Sequence, residues 1–512
     1  MKRNMPTTRM VPSRRLSMRV ERDDVMNQQA MKIGVRVSLT VAVAAILGGC
    51  FVSKVDPQQP EQPLPDSLPA QAVQTSPLPN PWWTLFDDAK LNELIVAALQ
   101  HNPDAAIAAA RVAEARSFLR ISNADRLPVL NLEGNVTRSK QSELASQVQG
   151  LEDVPGFDTH QTLYTVQGVV GYELDLWGRY LRASESARAQ LLNSEYGREA
   201  TKLSLTGEVA RNYFALIAAA EQLARGRDTL ASREEAVKLE KLRFDSGESD
   251  EFTFKRAEAD TAATRVSMRQ LEIQVVERTN ALGVLLGRSP KALVEEAITL
   301  QGISLPAPVQ LPAALPSSVL EQRPDIGAAE AALNASAADI GVARAQLFPS
   351  ISITGVLGSA SPELDDLFTG PAKAWSASGG ILQPIFQGGR LRANVSRTEA
   401  IREQRKAEYA RTVQQAFREV LDSLQSQVLI SGVRDANDEQ VAALSRATQL
   451  AELRYAQGDI AYLELLDVRR NLFQAQIDLV AAQRDALLNT VDLALAVGGG
   501  LGELAEPLTA RR

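Results

Sequence analysis

The chain repeats itself, and this internal duplication constrains its fold more than any other feature. Two stretches open with a Pro-Asp pair and run to a second proline, from Pro103 to Pro128 and from Pro324 to Pro349, 25 residues in each case. Small and apolar residues at helical spacing lie between the prolines, and apolar and polar residues alternate after the second one. A helix that leads directly into a strand is therefore predicted twice, at an offset of 221 residues.

Two further pairs of similar segments extend the duplication. Residues 177–179 resemble 388–390, and residues 242–247 resemble 453–458, both at an offset of 211. The ten-residue difference falls between the paired strands, where the first copy has the longer loop. We predict a first repeat over 82–320, a second over 321–503 and a tail over 504–512.

Four strands are predicted, over about 129–139, 162–177, 350–359 and 374–386. The second is longer than a typical strand of a globular protein and suits a tilted membrane strand. Four strands cannot close a barrel with a lumen, and an open sheet edge in lipid is prohibitively costly. Several chains must therefore contribute to one barrel.

Two segments without proline, from Arg179 to about Asp245 and from Arg390 to about Ala456, predict helices of 67 residues. Such a helix is roughly 100 Å long. An apolar stripe follows one face of the second segment: Val413, Phe417, Val420, Leu421, Leu424 and Val428. Turns near Gly247 and Gly458 would send return helices back to Gly287 and about Val497. A cytosolic coiled coil would share this pattern, but the strands and the N-terminus argue against it.

The N-terminus has the pattern of an export signal over 1–49, with Met31 as a possible true start. An apolar run over 37–46 is too short to span a bilayer and ends in Leu47-Gly48-Gly49 before Cys50, the only cysteine. A buried core cysteine is one interpretation. A lipobox is the other, in which Cys50 carries lipid and residues 50–81, rich in Pro, Gln and Ser, form an extended tether.

Composition excludes several classes of function. The net charge is −7 and no long basic run follows the N-terminus, which argues against nucleic-acid binding. His101 and His160 are too few for a familiar histidine zinc site, and no cofactor is expected. The chain has no Gly-x-Ser-x-Gly, His-Glu-x-x-His or P-loop pattern, so we expect neither an enzyme nor a protein that powers transport itself.

The motifs together resemble the outer-membrane factor family of TolC-like efflux channels, and specifically its OprM/NodT-type lipoprotein branch. The match runs from about Pro81 to Leu501 and rests on these segments: Leu47–Cys50, Tyr172–Arg179, Arg323–Ile326, Ile340–Arg344, Phe348–Ser350, Pro384–Leu391 and Arg454–Gly458.

The resemblance implies a mainly α chain with a β membrane barrel. Three copies would form a trimeric channel, with four strands per chain in a shared twelve-strand β-barrel and a long periplasmic α-helical coiled-coil barrel. It also implies that the chain sits in outer-membrane lipid, and that its partners are a periplasmic adaptor (membrane fusion) protein and an inner-membrane pump of the RND type. The function would be passive export of drugs or other small toxic compounds.

In that family the gate lies in the helix-turn region at the periplasmic tip. The matching residues are Tyr455, Gly458, Glu464, Asp467 and Arg470. Glu464 and Asp467 share a helix face, so three copies would form stacked acidic rings, and Arg470 could pair with Asp467. An ordinary solvated helix face with an ion pair explains the same spacing. The first copy has Thr253 and Arg256 instead of the acids.

Two other functions are compatible with the same sequence features. A type I protein-secretion channel would use the same fold, although the lipobox favours small-molecule efflux. A structural envelope lipoprotein would show the same N-terminus but would not conduct.

Overall fold

A computed structural model describes residues 54–60, 63, 81–140, 142, 160–296, 298, 302–307, 309 and 322–499. The predicted signal segment over 1–49, the lipid site Cys50, the tail over 504–512 and most of the tether lie outside the described residues.

The described elements repeat in the predicted order. The first set is α1 (Ala89–His101), α2 (Pro103–Ala124), β1 (Val129–Lys140), β2 (His160–Leu174), α3 (Arg179–Asp245), α4 (Glu251–Leu285) and α5 (Pro290–Glu295). The second set is α6 (Pro324–Ala345), β3 (Ser350–Ser361), β4 (Lys373–Leu382), α7 (Arg390–Gln457) and α8 (Tyr462–Ala496). Short 3-10 helices span Trp82–Phe86 and Gly370–Ala372.

Paired elements have nearly the same lengths in the two sets. α2 and α6 have 22 residues each, α3 and α7 have 67 and 68, and α4 and α8 have 35 each. α4 and α8 begin and end 211 residues apart, the same offset that separates Gly247 from Gly458. Each residue of α4 therefore has a defined counterpart in α8. The internal duplication predicted from sequence is confirmed.

The described chain divides into two compact units. One contains residues 121–186 and 337–400 and holds all four strands. The other contains residues 57–120, 187–336 and 401–512, as far as they are described, and holds the tip turns. In the described part of the chain, no helix combines the length and apolar character needed to cross a membrane.

The strand unit is a single antiparallel sheet in the order β1-β2-β3-β4. Two predicted strand ends were wrong. β2 ends at Leu174, because the carboxylate of Asp175 accepts a hydrogen bond from the backbone N–H of Leu181 at 2.8 Å and caps α3. β4 ends at Leu382, shortly before Pro384, which has no N–H to offer a ladder.

Trp177 lies beyond β2, at the junction with α3, and not within a strand. Its Nε1 donates to the carbonyl of Pro349 at 2.6 Å, and its ring stacks on Phe348 at 4.8 Å between centroids. The junction therefore ties the end of β2 to the start of β3, and the aromatic pair adds about 1 kcal/mol beyond its burial.

The two faces of the sheet differ sharply in polarity. Residues paired across the strands share a face, so the register assigns every side chain. One face, the apolar face, carries Leu130, Leu132, Val136, Val166, Val170, Ile351, Ile353, Leu357, Trp375 and Ile381. The polar face carries Asn131, Glu133, Asn135, Thr165, Gln167, Glu173, Ser352, Thr354, Ser376 and Ser378. A strand with one lipid face and one wet face has this alternation.

The other unit has its core around the first ordered aromatic residues. Trp82 and Phe214 are almost fully buried, and Phe86 lies against Phe214 at 4.8 Å between ring centroids. The hydroxyl of Tyr213 donates to Asp88 at 2.8 Å, and burial followed by that carboxylate raises the pKa of Tyr213. The N-terminal segment is thereby packed against α3.

The apolar stripe of α7 is covered along only part of its length. Val413, Val420 and Leu424 are buried, but Val428, at the end of the predicted stripe, is 62% exposed. Leu429 and Val433 next to it are exposed as well. Around Val428, Leu429 and Val433 the described part of the chain leaves this face uncovered.

The close approach of β2 and β3 gives a test of the sheet. A Cβ at Gly358 would lie 2.3 Å from the carbonyl oxygen of Val166, whereas a Cβ at Gly355 would meet nothing within 4 Å. We expect Gly358→Ala to destabilise the sheet by about 1–3 kcal/mol, because the strands must separate to admit the methyl group.

The measurement is the loss of β-sheet circular dichroism on heating the detergent-purified protein. Gly355→Ala is the matched control, since it makes the same change where there is room. Equal melting of the two variants would show that β2 and β3 do not approach this closely.

Candidate functional site

The tip turns have the same geometry in both copies. Gly247 and Gly458 both have φ +80°, which only glycine adopts without strain. Around Gly458 the N–H of Asp459 donates to the carbonyl of Arg454 at 2.9 Å, and the N–H of Gly458 to that of Tyr455 at 3.0 Å. These bonds form a Schellman motif, which satisfies the last carbonyls of α7 and ends it.

The turns differ in how the return helix begins. In the first copy Asp250 caps α4, accepting from the N–H of Thr253 at 2.8 Å. In the second copy Ala461 precedes α8 and makes no side-chain cap. The second turn therefore has one stabilising hydrogen bond fewer, a difference of about 1 kcal/mol.

Tyr455 joins the two copies at the tip. Its hydroxyl donates to a carboxylate oxygen of Glu240 and accepts from the guanidinium of Arg243, which also lies 5.0 Å from the ring centroid. The Glu240 side chain is only 2% exposed and accepts a further bond from Ser249 at 3.3 Å. Burial, followed by the Glu240 carboxylate, raises the pKa of Tyr455, so the phenol remains a neutral donor.

Arg470 forms a second link between the copies. Its Nε donates to Oδ1 of Asp260 at 2.6 Å, and the Asp260 side chain is 3% exposed. Asp467, the partner expected from spacing, lies 3.8 Å from the guanidinium at its nearest oxygen. The principal partner of Arg470 is therefore the buried aspartate of α4, because that carboxylate is desolvated and closer.

Asp260 is shared with a second arginine. Arg233, itself largely buried, lies 2.9 Å from Oδ2 of Asp260, close enough for an ion pair but not aligned as a hydrogen bond. Its guanidinium also donates to the hydroxyl of Thr264. Burial lowers the pKa of Arg233, and the charge of Asp260 opposes that effect. One carboxylate thus holds two guanidinium groups from different helices.

A small apolar cluster separates the two polar links. Ala257, Tyr462 and Leu466 are buried there, and the rings of Tyr455 and Tyr462 lie 5.6 Å apart. Burial is the main reason that the pKa of Tyr462 is raised. The carboxylates of Glu240 and Asp260 are only 2% and 3% exposed, and a low local dielectric strengthens the charge-assisted bonds that they accept. We call Arg233, Glu240, Arg243, Asp260, Tyr455 and Arg470 the tip network.

Glu464 and Asp467 are not part of this network. Both are exposed on the same face of α8, and within the described residues the carboxylate of Glu464 has no ion-pair partner. The structure thus brings Tyr455 and Arg470 into contact with the first copy, and it leaves the two acids in solvent within a single chain.

Four members of the tip network were not predicted from sequence: Arg233, Glu240, Arg243 and Asp260. Helical spacing does not distinguish a buried charge from a solvated one. The duplication does carry a signal, because the counterparts of Glu240 and Asp260 at the same offset are Ala451 and Asn471. At these two positions only one copy keeps a charge, and both charges are used in contacts between the copies.

The described residues contain no group of three or more His, Cys, Asp or Glu side chains arranged to hold a metal ion. The site is therefore built from ion pairs, hydrogen bonds and two glycine turns, and such a site can hold two helical hairpins together.

Comparison with known proteins identifies the family. The model of the family described as outer membrane efflux protein matches the chain twice, over residues 94–288 and 315–499. The chain is 32% identical to the probable outer membrane lipoprotein SilC of Salmonella typhimurium over 90% of this chain and 98% of that protein. It is 34% identical to the toluene efflux pump outer membrane protein TtgC of Pseudomonas putida, over 90% of this chain and 95% of that one.

The fold agrees with a solved channel. The crystal structure of the Campylobacter jejuni CmeC outer membrane channel matches with a TM-score of 0.78 and 25% identity, over 86% of this chain and 94% of that chain. The chain belongs to the outer membrane efflux protein family, as the sequence motifs indicated. It is an outer-membrane channel component of an efflux system, with the TolC-like fold, and its relatives are efflux channel proteins rather than enzymes.

The buried carboxylate at the tip gives a second prediction. Asp260→Asn leaves Arg233 without a counter-charge and Arg470 with only Asp467 at 3.8 Å. We expect this to cost about 3 kcal/mol, since breaking a buried ion pair is strongly destabilising. The measurement is amide hydrogen exchange in α4 and α8 near the turns, where the free energy of local opening should fall by that amount.

Asp467→Asn is the matched control, because it removes the same charge from an exposed position and should change the opening free energy by about 0.5 kcal/mol or less. Similar exchange in both variants would contradict the assignment of Asp260 as the shared partner.

Proposed function

We propose that three copies of this chain assemble into one passive duct, which exports small toxic compounds delivered by an inner-membrane pump of the RND type through a periplasmic adaptor protein. The observation that carries the trimer is the open sheet. β1 and β4 each have one edge without a partner strand in the described part of the chain. Each unpaired backbone group in lipid costs several kcal/mol, so another chain must cover both edges.

The strand number favours three copies over two. Two chains would supply eight strands, and a barrel of eight is just wide enough for its own side chains to fill. Three chains supply twelve strands and leave space for a lumen lined by the polar face. The exposed apolar residues of α7 after Leu424 support the same assembly, since neighbouring chains would cover them.

The lining of the duct suits passage rather than binding. On the polar face of the strands the only charged side chains are Glu133 and Glu173, and the others are small or neutral. Such a wall has few groups that would retain a solute. The relative named as a toluene efflux pump protein supports small toxic compounds as the cargo, and the efflux names favour export of such compounds over protein secretion.

We place the gate at the second tip turn. Gly458 permits the turn, and Tyr455 and Arg470 fix α7 and α8 to the first copy. Glu464 and Asp467, which are exposed within one chain, would face the lumen of the trimer as two rings of three carboxylates. Like charges brought together destabilise the shut state, and the arginine bonds offset that repulsion.

The assembly is tested by native mass spectrometry of the full-length protein in detergent. We expect three chains, each with an acylated Cys50 as its first residue. Two or more acyl chains on this cysteine would anchor the chain firmly in the membrane, where a single chain would not. The relative named as an outer membrane lipoprotein supports the modification. A stable monomer would end the trimer proposal, and an unmodified N-terminus elsewhere would end the lipid proposal, so the two are judged separately.

The gate is tested by conductance in planar bilayers. Replacing both Glu464 and Asp467 with Ala should lower the preference for cations, because the rings of negative charge are removed. Replacing Arg470 with Ala should raise the resting conductance, because the shut state loses a link.

Glu258→Ala/Asp435→Ala, two acids elsewhere on the helices, is the control for the change in charge. If selectivity and conductance are the same in the Glu464/Asp467 variant and in the wild type, these two acids are only a solvated helix face.

A further inference from the structure

The charges of the sheet are segregated by face and by end. On the apolar face the only side chains that can carry charge are Arg138, Lys140, His160 and Lys373, and all are basic. Both carboxylates of the strands, Glu133 and Glu173, lie on the polar face. One face of the described strands is thus free of carboxylates and the other is free of basic residues.

The basic residues also occupy a single end of the apolar face. Arg138 pairs with Thr162 and Lys140 with His160, at the last rungs of β1 and β2. Lys373 begins β4 opposite Ser359. The helices leave from the other end of the sheet, where α3 follows Leu174 and α7 follows Leu382. Since the helical part of this outer-membrane protein is periplasmic, the basic end lies in the outer leaflet.

The apolar band below the basic end has the thickness of a membrane. From Leu174 to Tyr164 on β2 the chain advances ten residues, roughly 34 Å along the strand. At the usual tilt of a barrel strand this is about 25 Å along the membrane normal, the height of the apolar band in outer-membrane barrels. Tyr164 stands at the upper edge of the band, where aromatic rings mark the level of the head groups, and Trp375 lies four residues closer to the helices in the register. Arg138 lies at or just above that level.

Arg138 and Lys373 are exposed and available to a ligand. Neither forms an ion pair with an acid in the part of the chain that the structure describes, although Glu363, Asp365 and Asp366 follow β3 in the turn to β4. A solvated ion pair with such an acid would be the ordinary use of a basic residue at a strand end. Within the described residues, these two cationic groups on the apolar face are therefore left without a counter-charge.

We propose that Arg138, with Lys140 and His160 beside it on β1 and β2, and Lys373 on β4 bind the phosphate groups of lipopolysaccharide in the outer leaflet. An arginine guanidinium presents paired donors to a phosphate, and a lysine ammonium adds a point charge. The site binds the anionic head while the apolar face beneath it holds the acyl chains. Phosphorylated glycolipid fits both halves of this surface, whereas a soluble anion fits only one.

The experiment measures lipid retention by the full-length protein in native mass spectrometry, with lipid A bisphosphate, the same lipid A after removal of its phosphates, and phosphatidylglycerol as probes. The variant Arg138→Gln/Lys373→Gln should bind lipid A bisphosphate about twenty-fivefold more weakly than wild type, from about fivefold for each basic residue. Loss of selectivity for the phosphorylated form should accompany it.

Two controls separate this result from misfolding and from general loss of charge. Arg138→Lys/Lys373→Arg keeps both charges and should bind like wild type. Arg111→Gln/Lys238→Gln removes two exposed basic residues from α2 and α3, outside the strands, and should also bind like wild type.

Three results would overturn the proposal. Wild-type protein that holds dephosphorylated lipid A as tightly as the bisphosphate has no phosphate site. Equal retention of phosphatidylglycerol would replace lipopolysaccharide by any anionic lipid. Unchanged binding in the glutamine variant would remove these residues from the site. None of these results bears on the number of chains in the channel or on its conductance, which are measured separately.

Discussion

The hydrogen bonds of the sheet edge are the constraint on which the rest of this structure depends. A bilayer offers no water to an unpaired N–H or C=O group, so a sheet of four strands is incomplete as a membrane structure. The same constraint explains why a strand ends where its hydrogen-bonded neighbour ends. The last residue of β4, Leu382, pairs with the first residue of β3, Ser350. It also explains why so much apolar surface is left uncovered in one chain. In the proposed trimer, the exposed face of α7 around Val428 and the edges of β1 and β4 have one cause, because neighbouring chains would cover both.

The duplication produces two similar halves of the chain. The side chains that differ between the halves form the hydrogen bonds and ion pairs that hold the halves together. The Arg470–Asp260 contact is made only once, because the residues at the matching positions of the other copy are Ala259 and Asn471, which cannot form an ion pair. The Tyr455–Glu240 contact is likewise made once, since Phe244 replaces the tyrosine in the first copy. Shared features such as the glycine turns preserve the backbone, while the unshared charges specify how one hairpin packs on the other. Buried ion pairs add little net stability but favour a single arrangement, which is the role they have at this tip.

Most of the fold is accessible from the sequence because it is periodic and duplicated. The prolines at Pro128 and Pro349 and the glycines at the turns delimit elements, and a second copy shows which spacings are not accidental. The predicted ends of β2 and β4 were wrong because the alternation of apolar and polar residues continues past the last paired residue. After β2 the side chain of Asp175 caps α3, and after β4 Pro384 has no backbone N–H to donate. The tip network was mostly missed for a different reason. A pattern of residues along one helix records its exposed and buried faces, but it does not record which charge on another helix, more than two hundred positions away, completes a buried pair.

Movement at the tip is constrained by where the bonds already lie. Within one chain the helices α3, α4, α7 and α8 are joined through two buried carboxylates, and separating the two copies would remove Tyr455 from Glu240 and Arg470 from Asp260. Opening along that surface would break one charge-assisted hydrogen bond at each carboxylate, a cost of about 1.5–3 kcal/mol for each. Glu464 and Asp467 form no comparable bond within the chain, so the surface that carries them can change its neighbours at little cost. In the proposed trimer, motion between chains is therefore cheaper than motion within a chain, and the acids on α8 lie on the surface that moves.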